Sequence, residues 1–323
     1  QVLLITKHVS EHYEAMYIGH MDTVFPDGTA EKRPFRIEGE NYYGQGVGDM
    51  KNGDLAMFHI AANLPETEKK CLNIAMVYNP DEEIGSIYSK EITDRIGCQA
   101  DHIFVMESAG KNGTRHCFAR KGSLTYDIEF QGQAAHAGFM FEVENASAVL
   151  EMGHYIVELM SLADREKDTT VNVGIANGGT ARNVVADHAK ISVEMRFRDD
   201  SERIRLKEYV NKITEGQPFV PGVKTTITMQ KETPPFVKTE EAKKYIERVR
   251  KVAEEQGIPF EEKDRGGLSD ANHLSRCGNA IVMDGMGPHG ANDHSEKEYG
   301  YIGSVEPCVK LHLAILKDML KKQ

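Results

Sequence analysis

Apolar residues fill every position from Ile74 to Tyr78, and the run leads straight into Asn79-Pro80-Asp81-Glu82-Glu83-Ile84-Gly85-Ser86. An apolar run without polar alternation reads as a strand buried on both faces, as in a sheet covered by helices on either side. Two adjacent carboxylates at the end of such a strand are costly unless positive charge lies beside them. In an irregular turn, consecutive side chains need not share a direction. One glutamate can then bind a metal while its neighbour faces water or substrate. Taken alone, the segment reads as a solvated acidic turn. The rest of the chain argues otherwise.

With 323 residues the chain has material for two domains or one large one. Its net charge of -11 argues against nucleic-acid binding, which wants a basic face. No apolar segment approaches the ~18 residues of a membrane span. The five cysteines are widely spaced and include no C-x-x-C pair, which points to reduced thiols and a cytoplasmic location.

Taken in order, Val2 to Ser10 and Glu14 to His20 read as strands, the second running into Met21-Asp22-Thr23-Val24. Residues two apart in an extended chain share a face, so Asp22 stands beside His20 and can fix its tautomer. Next, Gly44-Gln45-Gly46-Val47-Gly48 delivers Asp49 ahead of a helix from Asp54 to about Asn63. No G-x-G-x-x-G register and no P-loop fits these glycines; they let the backbone crowd a site that Asp49 enters from a helix N-terminus. Ile103 to Met106 is a further strand, ending at Glu107. Open α/β sheets place their sites at such strand ends.

From about Arg120 the texture changes. Leu124, Tyr126, Ile128 and Phe130 alternate with polar residues, as do Ile191, Val193, Met195 and Phe197. Between them lies an amphipathic helix over 145–163, with Ala148, Val149, Met152, Ile156, Leu159 and Met160 on its apolar stripe. A helix near Ser201–Ile213 and a strand near Lys224–Met229 complete a β-α-β-β-α-β-like block ending near Pro234-Pro235. The expected fold is therefore α/β, with a discontinuous catalytic domain (1–119 and 233–323) around a central mixed β-sheet, and an inserted α+β, ferredoxin-like domain (120–232). The last portion returns to the first texture, with a charged helix over 240–255, a strand over 279–283 and a final helix over 305–320.

Two imidazoles and several carboxylates without cysteine suit zinc or another borderline divalent ion. Two ions about 3.5–4 Å apart need one bridging carboxylate and further ligands on each side. Asp49 as bridge, His20 and Glu107 on one ion, and Glu83 and His294 on the other satisfy that count. Glu82 is left over as a base. His289 is the alternative to His294.

The motifs Gly19-His20-Met21-Asp22-Thr23-Val24, Gly48-Asp49-Met50-Lys51, Asp81-Glu82-Glu83-Ile84-Gly85-Ser86, Met106-Glu107 and His294-Ser295 occur in this order along nearly the whole chain. Together they resemble the zinc-dependent exopeptidases and N-acyl-amino-acid hydrolases, most closely the glutamate carboxypeptidase and tripeptidase members. The resemblance implies two divalent ions per chain, zinc or else cobalt or manganese, and the ligand roles just given. It implies that Glu82 deprotonates a metal-bridging water and then protonates the leaving amine, with Asp22 supporting His20. It also implies that the inserted domain is a lid and the dimerisation module of a homodimer.

Within that domain, Gly132-Gln133-Ala134-Ala135-His136-Ala137-Gly138 resembles the family's histidine loop, where the histidine stabilises the oxyanion. Asn183 resembles the lid's substrate-contacting asparagine, and Arg196 the arginine that grips a free substrate carboxylate. Arg196 pairing with Glu194 is the alternative. Family members usually carry several helices before the first metal-binding strand, whereas His20 comes early here. The expected substrate is a small peptide or an N-acyl amino acid cleaved beside a free carboxylate. The alternatives are an N-acyl-amino-acid deacylase and a catalytically silent metal- or peptide-binding relative. A serine hydrolase is disfavoured, because no G-x-S-x-G occurs.

Overall fold

The computed structural model describes residues 1–321. The chain divides into two compact units, Gln1–Arg120 with Phe236 onward, and Lys121–Pro235. Along the chain the first unit supplies β1 (Leu3–Ile5), β2 (Tyr13–His20), α1 (Asn52–Asn63), β3 (Ile74–Asn79), α2 (Lys90–Gly97) and β4 (Ala100–Val105). The second contains β5 (Gly122–Gln131), α3 (Ala148–Met160), β6 (Thr170–Gly178), β7 (His188–Phe197), α4 (Asp200–Glu215) and β8 (Lys224–Thr233). The chain then returns to the first unit for α5 (Glu240–Glu255), α6 (Asp270–Leu274), β9 (Ile281–Met283), β10 (Gly287–Ala291) and α7 (Val305–Leu320).

The first unit is built on a mixed five-stranded sheet of order β1-β3-β2-β4-β9, in which only β1 runs antiparallel to its neighbour. Its strands alternate between two apolar cores. Ala15, Tyr17, Ile74, Met76, Tyr78 and Phe104 pack with residues of α1, α5 and α7. Met16, Ile18, Ala75, Val77, Ile103 and Val105 pack with Ile96, Ala271 and Leu274 on the other face. This two-sided burial is why β3 has no polar alternation, and it forces every charged group of these strands to their ends. A second five-stranded sheet brings Gly287–Ala291 beside Ser108–Ala109 on one side and Tyr299–Tyr301 on the other.

The first strand is shorter than the Val2–Ser10 expected from sequence: Thr6 Oγ1 donates to the His8 carbonyl, and the polar residues that follow leave the sheet. The unit boundaries fall at 120/121 and 235/236 rather than at 119/120 and 232/233. Arg120 is held in the first unit by reciprocal backbone hydrogen bonds with Phe236, and its buried guanidinium pairs with the buried carboxylate of Asp284. Removing one partner of a buried pair leaves the other charge uncompensated. Arg120→Leu is therefore expected to cost about 3–5 kcal/mol of stability, read from the urea midpoint. An unchanged midpoint would show that Asp284 is satisfied by the Ser269 hydroxyl and the Gly285 amide alone.

The second unit is an antiparallel sheet of order β6-β7-β5-β8, backed by α3 and α4. Leu124, Ile128, Phe130, Ile191, Val193, Met195 and Phe197 are buried, as their alternation predicts. β6 carries no such signal, because as an edge strand it is exposed along most of its length. The stripe expected on α3 is partly wrong. Val149 and Met160 are exposed, while Glu151, Tyr155 and Leu159 join Ala148 inside. A buried glutamate defeats a hydrophobic pattern, and Glu151 is tolerated because its carboxylate accepts the amides of Phe219 and Val220 at 3.2 and 2.6 Å. Among the described residues, no helix is long and apolar enough to cross a membrane.

Candidate metal centre

β2 ends at His20, whose ring is buried, with its two nitrogens facing different partners. Nδ1 lies 3.2 Å from the Asp22 carbonyl and 3.4 Å from Asp22 Oδ1. Nε2 lies 3.1 Å from Asp49 Oδ1 and 3.5 Å from Glu107 Oε1. The backbone acceptor at Nδ1 sets that nitrogen as the donor and leaves the Nε2 lone pair for a cation, as in metal-bound histidines.

Asp49 is on an irregular turn just before α1, and its peptide bond to Met50 is cis. Its second oxygen lies 3.0 Å from His294 Nε2, and that same nitrogen is 3.2 Å from Glu83 Oε2. His294 has φ +60°, a left-handed conformation that few non-glycine residues adopt and that gathers at functional sites. Asp22 also holds the glutamate turn, since its two carboxylate oxygens accept the amides of Glu82 and Glu83 at 3.2 and 3.0 Å. One aspartate thus orients an imidazole and positions two glutamates.

These groups crowd negative charge into a poorly solvated space. Ligand atoms of His20, Asp49 and Glu83 lie within 4.8 Å of one another, and so do those of His20, Glu82 and Glu107. Burial, then the neighbouring Asp49 carboxylate, pushes the Glu83 carboxyl up to about 7 and raises Glu107 too. Glu82 is driven well above the carboxylate range by burial and then by Asp270 and Glu107. Asp49 is held low against its burial by His20 and His294. Glu83 Oε1 is buried with no hydrogen-bond partner among the described residues. Convergent carboxylates, an orphaned buried oxygen and imidazoles aimed at the same space fit divalent cations with nitrogen and oxygen ligands.

All seven of the acidic and histidine residues expected from sequence in this unit, His20, Asp22, Asp49, Glu82, Glu83, Glu107 and His294, meet at the strand ends. His289 lies elsewhere: it is buried, with Nδ1 2.9 Å from the Ala109 carbonyl. The other three candidates belong to the second unit. His136 is exposed, and its Nδ1 accepts the Gly138 amide at 3.1 Å. The Asn183 carbonyl accepts the Ala137 amide at 3.0 Å, which pins the asparagine's segment to the histidine loop. Arg196 Nη2 lies 2.8 Å from Glu194 Oε1, the pairing that its sequence spacing had left open.

Two buried acids that brace the site's turns carry no signal in the sequence. Asp270 accepts from Asn79 Nδ2 at 2.8 Å and Ser86 Oγ at 2.6 Å, anchoring both ends of the glutamate turn, and His273 Nε2 lies 3.0 Å from it. Asp270 follows Gly266-Gly267-Leu268-Ser269, and no local signal ties that segment to Asn79 and Ser86. The other is Glu298, four residues after His294.

A cluster of imidazole nitrogens and carboxylate oxygens at the carboxyl ends of the strands of an α/β sheet is the donor set of a metalloenzyme site. Residues 16–318 match the model of peptidase family M20/M25/M40, and the chain belongs to that family. It is thus a metallopeptidase or amidohydrolase, acting on peptide or acyl-amide bonds. Carboxypeptidase G2 from Pseudomonas sp. is 25% identical over 308 residues, covering 94% of this chain and 73% of that protein. The fold is shared with the aminopeptidase PepT from Bacillus cereus (TM-score 0.78, 24% identity, 99% of this chain and 84% of that one). It is also shared with a dinuclear metal-binding peptidase of the family from Bacillus subtilis (TM-score 0.72, 13% identity, 100% and 86%).

Proposed function

We propose that this protein hydrolyses a peptide or N-acyl amide bond beside a free carboxylate, using two divalent ions, with zinc the ion its ligand set suits best. His20, Asp49 and Glu107 would hold one ion, and Asp49, Glu83 and His294 the other. The observation that carries this reading is the orientation of Asp49, whose two oxygens face the two imidazoles at 3.1 and 3.0 Å, as a shared ligand must. Ions bound there supply positive charge that acidifies water and polarises the scissile carbonyl.

Glu82 is the proton carrier. Its carboxylate, set beside Glu107 and His20, takes the proton of the attacking water and returns it to the leaving nitrogen. Asp22 keeps His20 in the tautomer that presents Nε2. His136, Asn183 and Arg196 bind substrate in this reading, His136 at the oxyanion and Arg196 at the free carboxylate. The inserted unit acts as lid and as the dimerisation module of a homodimer. An exposed edge strand, β6, and the exposed Leu150 and Val157 of α3 support that role. Cysteines without disulfides suit a cytoplasmic setting.

The test is amino-acid release from a panel of dipeptides, tripeptides and N-acyl amino acids, with added zinc and again with chelator. Chelator-sensitive release from substrates with a free carboxylate is the expected result, and the best substrate separates peptidase from deacylase. Absence of release from every substrate, despite bound metal, would identify a silent relative. Arg196→Ala should raise KM for carboxylate-bearing substrates by about 10–100-fold, the worth of one charge-assisted hydrogen bond, with kcat less affected. Equal kinetics would return Arg196 to its pairing with Glu194.

A further inference from the structure

The Glu298 side chain is almost wholly buried, at 2% exposure, and its carboxylate accepts three backbone amides. Oε2 accepts from Gly46 N at 3.0 Å, and Oε1 from Gly48 N at 2.8 Å and Asp49 N at 3.0 Å. Successive backbone N–H groups that converge in this way make an anion cradle, which elsewhere receives a bound ligand. Here the chain fills the cradle with its own carboxylate. The last of the three amides belongs to Asp49 itself.

The other end of the glutamate's segment is equally constrained. The Glu298 amide donates to the Ser295 carbonyl at 3.2 Å, closing a turn over 295–298 that starts at the residue after His294. The glycine segment is also pressed against β10: a Cβ at Gly290 would lie 2.5 Å from Gly48 Cα. The segment that carries Asp49 is thus in contact with both the Glu298 carboxylate and β10.

We infer that Glu298 is a positioning residue that locks the Asp49 turn to the His294 turn, so that the shared aspartate and the second imidazole are presented together. Neither turn has regular secondary structure to fix it. His294 is half exposed, so its placement depends on what its own turn is fastened to. A glutamine at 298 keeps the shape but not the function. Its oxygen can accept Gly48 and Asp49, and its amide nitrogen then meets the Gly46 N–H, donor against donor. The alternative rotamer satisfies Gly46 and leaves the Asp49 amide facing a donor.

This inference rests on the two-ion reading above. The test is a zinc competition titration against a chromophoric chelator on wild type, Glu298→Gln and Glu298→Asp. Melting curves of the metal-free proteins and visible spectra of the cobalt-substituted ones accompany it. Glu298→Gln is expected to weaken zinc binding by about 10–100-fold, as changing a ligand-orienting partner does, and to alter the cobalt spectrum. Glu298→Asp, one methylene short of the amides, should lose less.

Zinc affinities and cobalt spectra equal to wild type in both variants would overturn the inference, even if both melt earlier, because that pattern is a purely structural role. Should the glutamine variant fail to fold without metal, the aspartate titration decides by the same criterion. A wild-type protein that takes up no zinc overturns the two-ion reading and this inference with it. That result is distinct from variants that match a zinc-binding wild type.

Discussion

Replacing Glu82 by alanine is expected to lower kcat by about 10²–10⁴-fold, the usual contribution of a positioned acid–base group, while leaving the metal content at its wild-type value. The reason lies in how the turn divides its two carboxylates. Glu83 Oε2 lies against His294 Nε2 at 3.2 Å. Glu82 lies with Glu107 and His20, deep enough for burial to raise it well above the carboxylate range. A carboxylate placed there without a covering hydrogen bond from the turn can take a proton from water and give it back to a leaving amine. Alanine removes that exchange without touching Asp22, whose oxygens hold the Glu82 and Glu83 amides rather than the side chains. The measurement is kcat beside metal stoichiometry. Full activity in Glu82→Ala would take the residue out of the proton-carrying role.

Asp49→Ala should do the opposite to the metal. Its two oxygens face the two imidazoles, so in the two-ion proposal its loss would strip a ligand from both ions at once. Bound zinc after dialysis is expected to fall below two equivalents per chain. Turnover should fall by more than the ~10–100-fold typical of changing an outer partner. Metal content is the discriminating reading, because Glu82→Ala should keep it. Two zinc equivalents with wild-type turnover in Asp49→Ala would show that the carboxylate is not shared.

Much of the first unit was legible because its signals are local. A strand buried on both faces, from Ile74 to Asn79, announces itself by an apolar run, and α5 and α7 by helical periodicity with polar ends. The seven acidic and histidine residues could be collected because each stands where such a strand or a glycine loop stops. Legibility failed where polar groups are buried or apolar ones exposed. Glu151 occupies the inner face of α3 because two backbone amides satisfy it, and β6 exposes Ile175 because it is an edge. A hydrophobic pattern cannot register a charge that the fold neutralises with backbone donors.

Short-range periodicity and the cost of burying charge suffice to lay out the main strands, the helices that cover them, and the residue types that gather at the strand ends. Only the tertiary structure decided how that charge is organised. It set Asp22 across the glutamate turn, turned the two oxygens of Asp49 towards different imidazoles, and placed Asp270 and Glu298 behind the turns that carry the centre. Those relations join residues 60, 61, 184 and 249 positions apart. A hydrogen bond over such separations leaves no periodic trace, because its donor and acceptor meet only after the sheet has assembled.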